Sequence, residues 1–390
     1  MSYKSNIWKM NLFLFLRGLQ FFVGVLVPFF MNWGKLSFSQ IMFLEAFFVV
    51  FVFVFEIPSG AFADRFGRKT SLILAALANA IAVLVYSTYP NFYIFLVGEI
   101  FWALSIALLS GPSDALVYDT LKAEKREKES KKILGRYRSF ELIGIVVAAP
   151  LGSVIADAFG LRFVMVFTAI PLIFAFFLGF SLKEPPYKGE KKETFFELIK
   201  NGLKYFKNHK ILRVMTIDRV VVYAFVFAFF WSHQVILEDI NVPLKYFGWV
   251  VCLMTLIEVF ILNYLEDIDR WMGKKTRLIL ITGLLPGIGA LLIAFLQMPV
   301  LIIPLLIITL GFGFSRDMVF MNYMNKHIES HNRSTVLSVI SMVKSIVFTI
   351  VLLGFGYLVE WNLYASLAII GTFMIVTTIL SGVKEKHLLD

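Results

Sequence analysis

The sequence predicts an all-α integral membrane protein with twelve transmembrane helices in two pseudo-symmetric six-helix halves. Hydrophobic residues make up 59% of the 390 residues and charged residues only 16%, whereas about a quarter of a soluble domain is charged. Apolar runs of roughly 20 residues, the length that crosses a bilayer as a helix, follow one another along the whole chain. In addition, two charged passages of the first half recur in the second half.

The apolar runs define the spans in order, and charged clusters or short turns separate them. The predicted spans are 8–31, 38–60, 69–88, 92–115, 137–158, 161–182, 212–237, 246–266, 276–296, 299–322, 334–358 and 361–382. Between the sixth and seventh spans, residues 183–211 are polar and basic and begin with prolines, which end a helix. This linker therefore divides the chain into an N-terminal half at 1–182 and a C-terminal half at 212–390.

The linker has an internal pattern of its own. Its apolar residues recur at helical spacing with lysines between them, which predicts a short amphipathic helix on the membrane surface. They are Phe195, Phe196, Leu198, Ile199, Leu203 and Phe206. A docking site for a partner protein is the alternative interpretation.

The distribution of basic residues predicts the orientation of the chain. Lys and Arg concentrate at both termini and in alternate loops, beginning with the loop after the second span, whereas the opposite loops carry only Lys35, Arg162 and Lys245. Short basic loops stay on the cytoplasmic side, so both termini are expected in the cytoplasm of a multi-pass protein of the cell membrane. The net charge of +10 then reflects topology and contact with lipid headgroups rather than nucleic acid.

Two passages of the first half are echoed in the second half. Gly60-Ala-Phe-Ala-Asp-Arg-Phe-Gly-Arg-Lys69 matches Asp269-Arg-Trp-Met-Gly-Lys-Lys275, and Ser113-Asp-Ala-Leu-Val-Tyr-Asp119 matches Ser315-Arg-Asp-Met-Val-Phe-Met-Asn322. Internal repeats in a membrane protein are typical of secondary transporters.

The first of these passages resembles the loop between helices 2 and 3 of the major facilitator superfamily, whose pattern is Gly-x-x-x-Asp-Arg-x-Gly-Arg-Arg/Lys. All its named positions are filled, by Gly60, Asp64, Arg65, Gly67, Arg68 and Lys69. The resemblance covers nearly the whole chain and implies the fold of that family, with a cytoplasmic gate that latches the two halves and breaks when the transporter opens inward. The alternative is that these charges only set topology and solubility.

Simple chemistry supports roles for the charges of this gate motif. Arg68 can fork onto a carboxylate, and Asp119 is the predicted acceptor. Asp64 can accept hydrogen bonds at a helix N-terminus. The corresponding gate residues of the second half are Asp269, Arg270, Gly273, Lys274 and Asp317.

Ionisable and polar side chains inside the spans are the candidates for binding solute or protons, because a charge at the bilayer centre costs about 2.5 to 3.5 kcal/mol on insertion scales. They are Arg17, Gln20, Glu45, Glu56, Glu99, Glu258 and Lys344. Arg17 offers a permanent cation for an anionic group or an internal carboxylate. Glu258, near mid-membrane, is the candidate proton carrier, because burial favours the neutral form of a carboxyl. For residues near the inner surface, such as Glu56, snorkelling is the alternative.

Two positions depart from the pattern of proton-driven exporters in that family. Glu99 stands in the fourth span where many members carry an arginine, and the passage Gly144-Ile-Val-Val-Ala-Ala-Pro-Leu-Gly152 lacks two glycines of the antiporter signature. The usual assignment of the proton relay therefore does not transfer directly.

These observations predict a secondary active transporter that moves a small organic solute by alternating access. Proton-coupled efflux of amphipathic or drug-like compounds is the leading hypothesis, and proton-coupled uptake of an anionic nutrient, with Arg17 and Lys344 as binding cations, is the alternative. The chain has no nucleotide-binding loop, a single cysteine and five scattered histidines, so we expect no enzyme activity, cofactor or metal. A membrane-embedded lipid-modifying enzyme and a binding-only sensor are the hypotheses from other classes. Membrane lipids are the expected surroundings, nucleic acid is not an expected partner, and a monomer is expected.

Overall fold

The computed structural model describes residues 3–186, 204–296, 298–324, 327–328 and 333–388. The secondary structure of these residues is entirely helical, and ten of their helices are long and apolar enough to cross a membrane. A shorter apolar helix at Leu363–Ile379 and a broken N-terminal segment account for the other two predicted spans. The all-α membrane fold expected from the sequence is confirmed.

Contacts divide the chain into two compact units. The described residues of the first unit fall within Met1–Leu36, Phe47–Lys191 and Pro243–Cys252, and those of the second fall within Ser37–Ala46, Lys192–Val242 and Leu253–Asp390. Most of the predicted linker, residues 187–203, lies outside the described residues; residues 204–208 are helical.

The helices that begin in the N-terminal half are α1 Ser5–Gly18, α2 Leu26–Pro28, α3 Phe38–Phe66, α4 Arg68–Tyr86, α5 Phe92–Leu109, α6 Pro112–Ala123, α7 Ser130–Phe159 and α8 Leu161–Phe180. A π-helical turn at Phe29–Trp33 continues α2. Helices α5 and α6 together form one apolar segment of 32 residues, which bends where Gly111 adopts φ +78 and Pro112 begins α6, a position that suits proline because the first helical N–H has no partner.

The remaining helices are α9 Lys210–Asp239, α10 Phe247–Asn263, α11 Leu265–Met272, α12 Lys275–Leu296, α13 Pro299–Met324, α14 Arg333–Trp361 and α15 Leu363–Ile379. A buried apolar cluster at one end of the second unit includes Met215, Leu278, Phe320 and Val336. It joins α9, α12, α13 and α14, and so it fixes the helices that carry the charged residues described below.

The first predicted span is not one continuous helix. We expected a helix over 8–31, but α1 ends at Gly18 and regular helix resumes only at Leu26. This break leaves the last carbonyl groups of α1 without hydrogen-bond partners in the helix. Arg17 lies in the last turn of α1, directly before it.

Close packing of α1 on α7 holds the ends of this break. A Cβ atom at Gly18 would overlap the backbone of Glu141, and one at Gly152 would overlap the backbone of Phe21. Glycine at these positions lets the two backbones approach closely, which a side chain would prevent. This contact places the polar residues of α1 against the rest of the first unit.

Candidate functional site

Two crossed ion pairs link α9 and α13 within the second unit. Asp218 and Arg219 are consecutive on α9, and Arg316 and Asp317 are consecutive on α13. Arg316 pairs with Asp218, and Arg219 pairs with Asp317. The order of the charges is reversed between the two helices, so each cation meets a carboxylate.

The Asp218–Arg316 pair is fully buried, and further hydrogen bonds support it. The side chains of Arg316 and Asp218 are 0% and 3% exposed. Arg316 Nη1 also donates to the carbonyl oxygen of Ile279 at 2.5 Å and to Thr282 Oγ1 at 3.2 Å. A buried charge of this kind persists only where a partner and hydrogen bonds replace its hydration, so the pair is a structural element.

The Arg219–Asp317 pair has a third member. Arg219 Nε and Nη2 donate to the two oxygens of Asp317 at 2.8 and 3.0 Å, a bidentate geometry. Lys344 Nζ on α14 lies 3.6 Å from Asp317 Oδ2 and its side chain is 33% exposed. The ammonium group therefore makes a longer and less enclosed contact than the guanidinium group.

Aromatic rings surround the Lys344 ammonium. Its nitrogen lies 4.9 Å from the centroid of Tyr223 and 5.2 Å from that of Phe348, distances at which a cation is attracted to a ring face. The rings continue along α9, α13 and α14 through edge and stacked contacts. These rings are Phe227, Phe230, Trp231 and Phe314.

Glu258 on α10 belongs to the same electrostatic cluster. It lies within electrostatic range of Asp317 and of the Tyr223 hydroxyl group. We call Arg219, Asp317, Lys344, Glu258 and Tyr223 the α9–α13 cluster. Its two cations are balanced by two carboxylates only when Glu258 is ionised, so one proton on Glu258 changes the net charge by one unit.

In the first unit, Arg17 is buried at the break in the first span. It is 1% exposed. Its Nη2 lies 3.5 Å from Asn79 Oδ1 on α4 and 3.5 Å from Ser105 Oγ on α5. Its Nε and Nη1 atoms have no hydrogen-bond partner among the described residues.

Arg68 of the gate motif pairs with Asp119, the acceptor predicted from the sequence. Arg68 Nη1 also donates to the carbonyl oxygen of Ala115 at 2.8 Å, so the guanidinium ties the start of α4 to α6. A neighbouring carboxylate, Asp114, accepts from Tyr137 and Arg138 on α7. Together these contacts connect α4, α6 and α7 at the end of the spans that carries the basic loops.

A carboxylate outside the motif caps the start of α4. Glu184, after α8, accepts from the backbone N–H groups of Arg68 and Lys69 at 3.0 and 2.7 Å. Gly67 has φ +94, a conformation that favours glycine, and a Cβ there would lie 3.2 Å from the Glu184 carboxylate. Asp64, which we expected to accept hydrogen bonds from a neighbouring helix N-terminus, lies on the last turns of α3.

A carboxylate also caps the start of α12. Glu385, after α15, accepts from the N–H groups of Lys275 and Thr276 at 2.9 and 3.0 Å and from Thr276 Oγ1 at 2.8 Å. Partial burial opposes ionisation of this carboxyl, but the hydrogen bonds outweigh it and hold the pKa of Glu385 below its ordinary value. A carboxylate at a helix N-terminus is also favoured by the helix dipole.

In the second gate passage, the described residues show other contacts than the Arg68–Asp119 pair. Asp269 accepts from the Tyr323 hydroxyl at 2.8 and 2.6 Å, and Arg270 pairs with Asp267 on its own short helix. Asp317, which we grouped with this motif, lies in the α9–α13 cluster instead. Gly273 has φ +71 and ends α11, and Lys274 is exposed.

The other candidates are not brought together by the described contacts. Glu45 and Glu99 are buried, and Glu56 is half-buried. Gln20 Nε2 donates to the carbonyl oxygen of Arg17 at 3.3 Å. The exposed Arg65 lies over the ring of Phe66, and Gly60 has no neighbour within 4 Å of a Cβ position. Within the described residues, no group of three or more His, Cys, Asp or Glu side chains could hold a metal ion.

Comparison with known protein families identifies the family of this chain. The family model described as Major Facilitator Superfamily matches residues 10–352. The chain belongs to the major facilitator superfamily. It is therefore a multi-pass membrane protein and a transporter of the secondary kind.

Relatives and solved structures agree with this membership. The chain is 23% identical over 368 residues to the uncharacterized MFS-type transporter YxaM of Bacillus subtilis, covering 90% of this chain and 88% of that protein. It is 30% identical over 175 residues to multidrug resistance protein 2 of the same species, covering 45% and 42%.

Among solved structures, the nucleoside transporter NupG superposes with a TM-score of 0.78 at 13% identity, covering 97% of this chain and 98% of that one. The D-xylose–proton symporter gives 0.74 at 16% identity, covering 98% and 99%. At these low identities, the structural similarity supports only the fold of this major facilitator protein.

Sequence reasoning missed three parts of the site. It gave no role to Arg316, Tyr223 or the capping glutamates. A signal was present for two of them: Asp218-Arg219 and Arg316-Asp317 are complementary dipeptides, and Lys183-Glu184 recurs as Lys384-Glu385 after the last span. For Tyr223 no such signal exists, because its place depends on how α9 and α14 pack.

Proposed function

We propose that this major facilitator protein exports amphipathic organic compounds in exchange for protons. The observation that carries proton coupling is the charge balance of the α9–α13 cluster. With Glu258 ionised, the cluster holds two cations and two carboxylates; with Glu258 protonated, one positive charge is in excess. A proton taken up by Glu258 thus alters the electrostatic field at Lys344 and Asp317, which is the differential interaction that coupling needs.

Export and an amphipathic solute are supported by other features. The ring faces that begin at Tyr223 and Phe348 provide apolar area beside the charges, which suits a solute with an aromatic body. Part of the chain is 30% identical to a multidrug resistance protein. Uptake of an anionic solute with protons is the second candidate. The guanidinium of Arg17, whose Nε and Nη1 have no hydrogen-bond partner among the described residues, favours an anionic solute.

We also propose that the Arg68–Asp119 pair belongs to a gate on the side of the basic loops. Arg68 joins the start of α4 to α6, and Glu184 holds the same helix start from the end of α8. A change in any one of these contacts alters the angle at which α4 meets its neighbours. The pair is therefore expected to set the balance between transport states.

Proton flux in liposomes tests the coupling proposal. Purified protein is reconstituted with a pH-sensitive dye inside, and lipophilic cations, organic anions and neutral compounds are added outside. We expect solute-evoked proton movement in the wild type, its loss in Glu258→Gln, and no change in Glu127→Gln, which makes the same substitution in an exposed loop.

The direction of the imposed pH gradient separates the two candidates. An exporter that exchanges solute for protons accumulates solute in vesicles whose interior is acidic, whereas a symporter accumulates it when the exterior is acidic. Solute flux without any proton movement, or full coupling in Glu258→Gln, would refute the proposed role of Glu258.

A further inference from the structure

The guanidinium group of Arg17 stands in an unusual environment within the first unit. It is 1% exposed, and it remains charged at any physiological pH. Its contacts to Asn79 and Ser105 are both 3.5 Å long, at the upper limit for a hydrogen bond. Nε and Nη1 have no partner among the described residues.

Arg316 provides the comparison within the same chain. It is equally buried, yet it pairs with the carboxylate of Asp218 and donates to the oxygens of Ile279 and Thr282. Arg17 has no such carboxylate: Glu141 on α7 attracts it electrostatically, but the described residues place no ion pair on Arg17. A buried cation without a paired anion is costly, and it is retained where it has a functional partner.

A further polar atom without a partner among the described residues lies beside Arg17. Asn79 is fully buried, and its Nδ2 also lacks a hydrogen-bond partner among the described residues. Arg17, Asn79 and Ser105 come from α1, α4 and α5, so three helices direct polar atoms to one point. Arg17 lies directly before the break at residues 19–25, and interrupted helices are where transporters commonly bind their solutes.

We propose that Arg17 and Asn79 bind the carboxylate group of an organic anion carried by this protein. A planar carboxylate can accept two parallel N–H bonds from one edge of the guanidinium and a further bond from Asn79 Nδ2. This inference rests on the proposed transport of an organic solute and names the charge of that solute. The proposed carboxylate site applies whether the protein exports the anion or takes it up.

Equilibrium binding tests the site with ligands that differ only in charge. We use 2-naphthoate, 2-naphthamide and 2-naphthylmethylammonium with the full-length protein in nanodiscs of zwitterionic lipid, by isothermal titration calorimetry. Naphthoate is expected to bind best. Arg17→Gln should weaken naphthoate binding by at least about tenfold and leave naphthamide unchanged, and Arg17→Lys should restore part of the loss.

A carboxylate built into the protein gives the second test. Asn79→Asp places an acidic group beside the guanidinium, so it should abolish naphthoate binding and raise the melting temperature. Glu141→Gln removes the carboxylate that attracts Arg17, so it should tighten naphthoate binding. If Arg17 were only structural, neither Asn79→Asp nor Glu141→Gln would change naphthoate affinity.

The controls separate this inference from proton coupling. Binding at fixed pH needs no proton gradient. If Glu258→Gln loses proton flux but still binds naphthoate, proton coupling has failed and the Arg17 site remains supported. Loss of naphthoate binding in Lys344→Gln but not in Arg17→Gln would overturn the proposal and place the anion at the α9–α13 cluster. Preferred binding of the naphthylmethylammonium cation would also overturn it.

Discussion

Removing the charge of Asp218 should destabilise the protein strongly, because Arg316 would keep its charge in a fully buried position. The change Asp218→Asn preserves the shape of the side chain. Breaking one partner of a buried pair costs about 3–5 kcal/mol, and two unit charges about 4 Å apart interact by about 4 kcal/mol at an effective dielectric constant of 20. The two estimates agree, so we expect a loss of about 4 kcal/mol of unfolding free energy.

Thermal unfolding of the purified protein, followed by intrinsic tryptophan fluorescence in detergent, measures this effect. Asp218→Asn and Arg316→Gln should each lower the melting temperature, and the double variant should recover part of the loss because no unpaired charge remains. Glu129→Gln breaks the exposed pair with Arg126 and should leave the melting temperature unchanged. Additive losses in the double variant would refute the pairing.

Three further predictions concern other contacts. Gly152→Ala should destabilise by about 1–3 kcal/mol through overlap with the backbone of the first span, whereas Gly135→Ala, with nothing within 4 Å, should stabilise the same helix by about 0.5–1 kcal/mol; equal melting temperatures would contradict this packing. Because the pKa of Glu385 is lowered in the folded protein, its stabilisation is present above its ordinary value and lost as pH falls through the folded value. The wild type should therefore melt higher than Glu385→Gln at pH 7, and the difference should vanish in acid; a difference that stayed constant with pH would count against the cap. Asp119→Asn should slow solute transport without weakening equilibrium naphthoate binding, because it removes the partner of Arg68; unchanged transport would rule out a gate role.

Part of the site was predictable because charged residues at the same end of neighbouring spans can meet. The Arg68–Asp119 pair could be expected from the charges that flank the second, third and fourth spans. The gate role of the corresponding residues in the second half stays a prediction; the described contacts place Asp269 against Tyr323 and Asp317 against Arg219. Spacing along the chain does not distinguish which of several nearby partners a carboxylate meets.

The first span also shows a limit of prediction from sequence. Residues 8–31 are apolar enough for a continuous helix, yet the structure breaks them after Gly18. The close approach of α7 at Gly18 and Gly152 is a property of the packed unit, and hydropathy contains no information about it. Arg17 could be named from the sequence as a buried cation, but the absence of a strong partner could not.

The sequence by itself determined the helical membrane fold, the number of apolar segments, the duplicated charged passages and the list of ionisable residues within the spans. These depend on local composition and on the length needed to cross a bilayer. Only the tertiary structure decided that Asp218 pairs with Arg316, that Arg219 pairs with Asp317, and that Nε and Nη1 of Arg17 have no hydrogen-bond partner among the described residues. The energy of a buried charge depends on atoms within a few ångströms, and packing brings those atoms from helices that lie far apart in the chain.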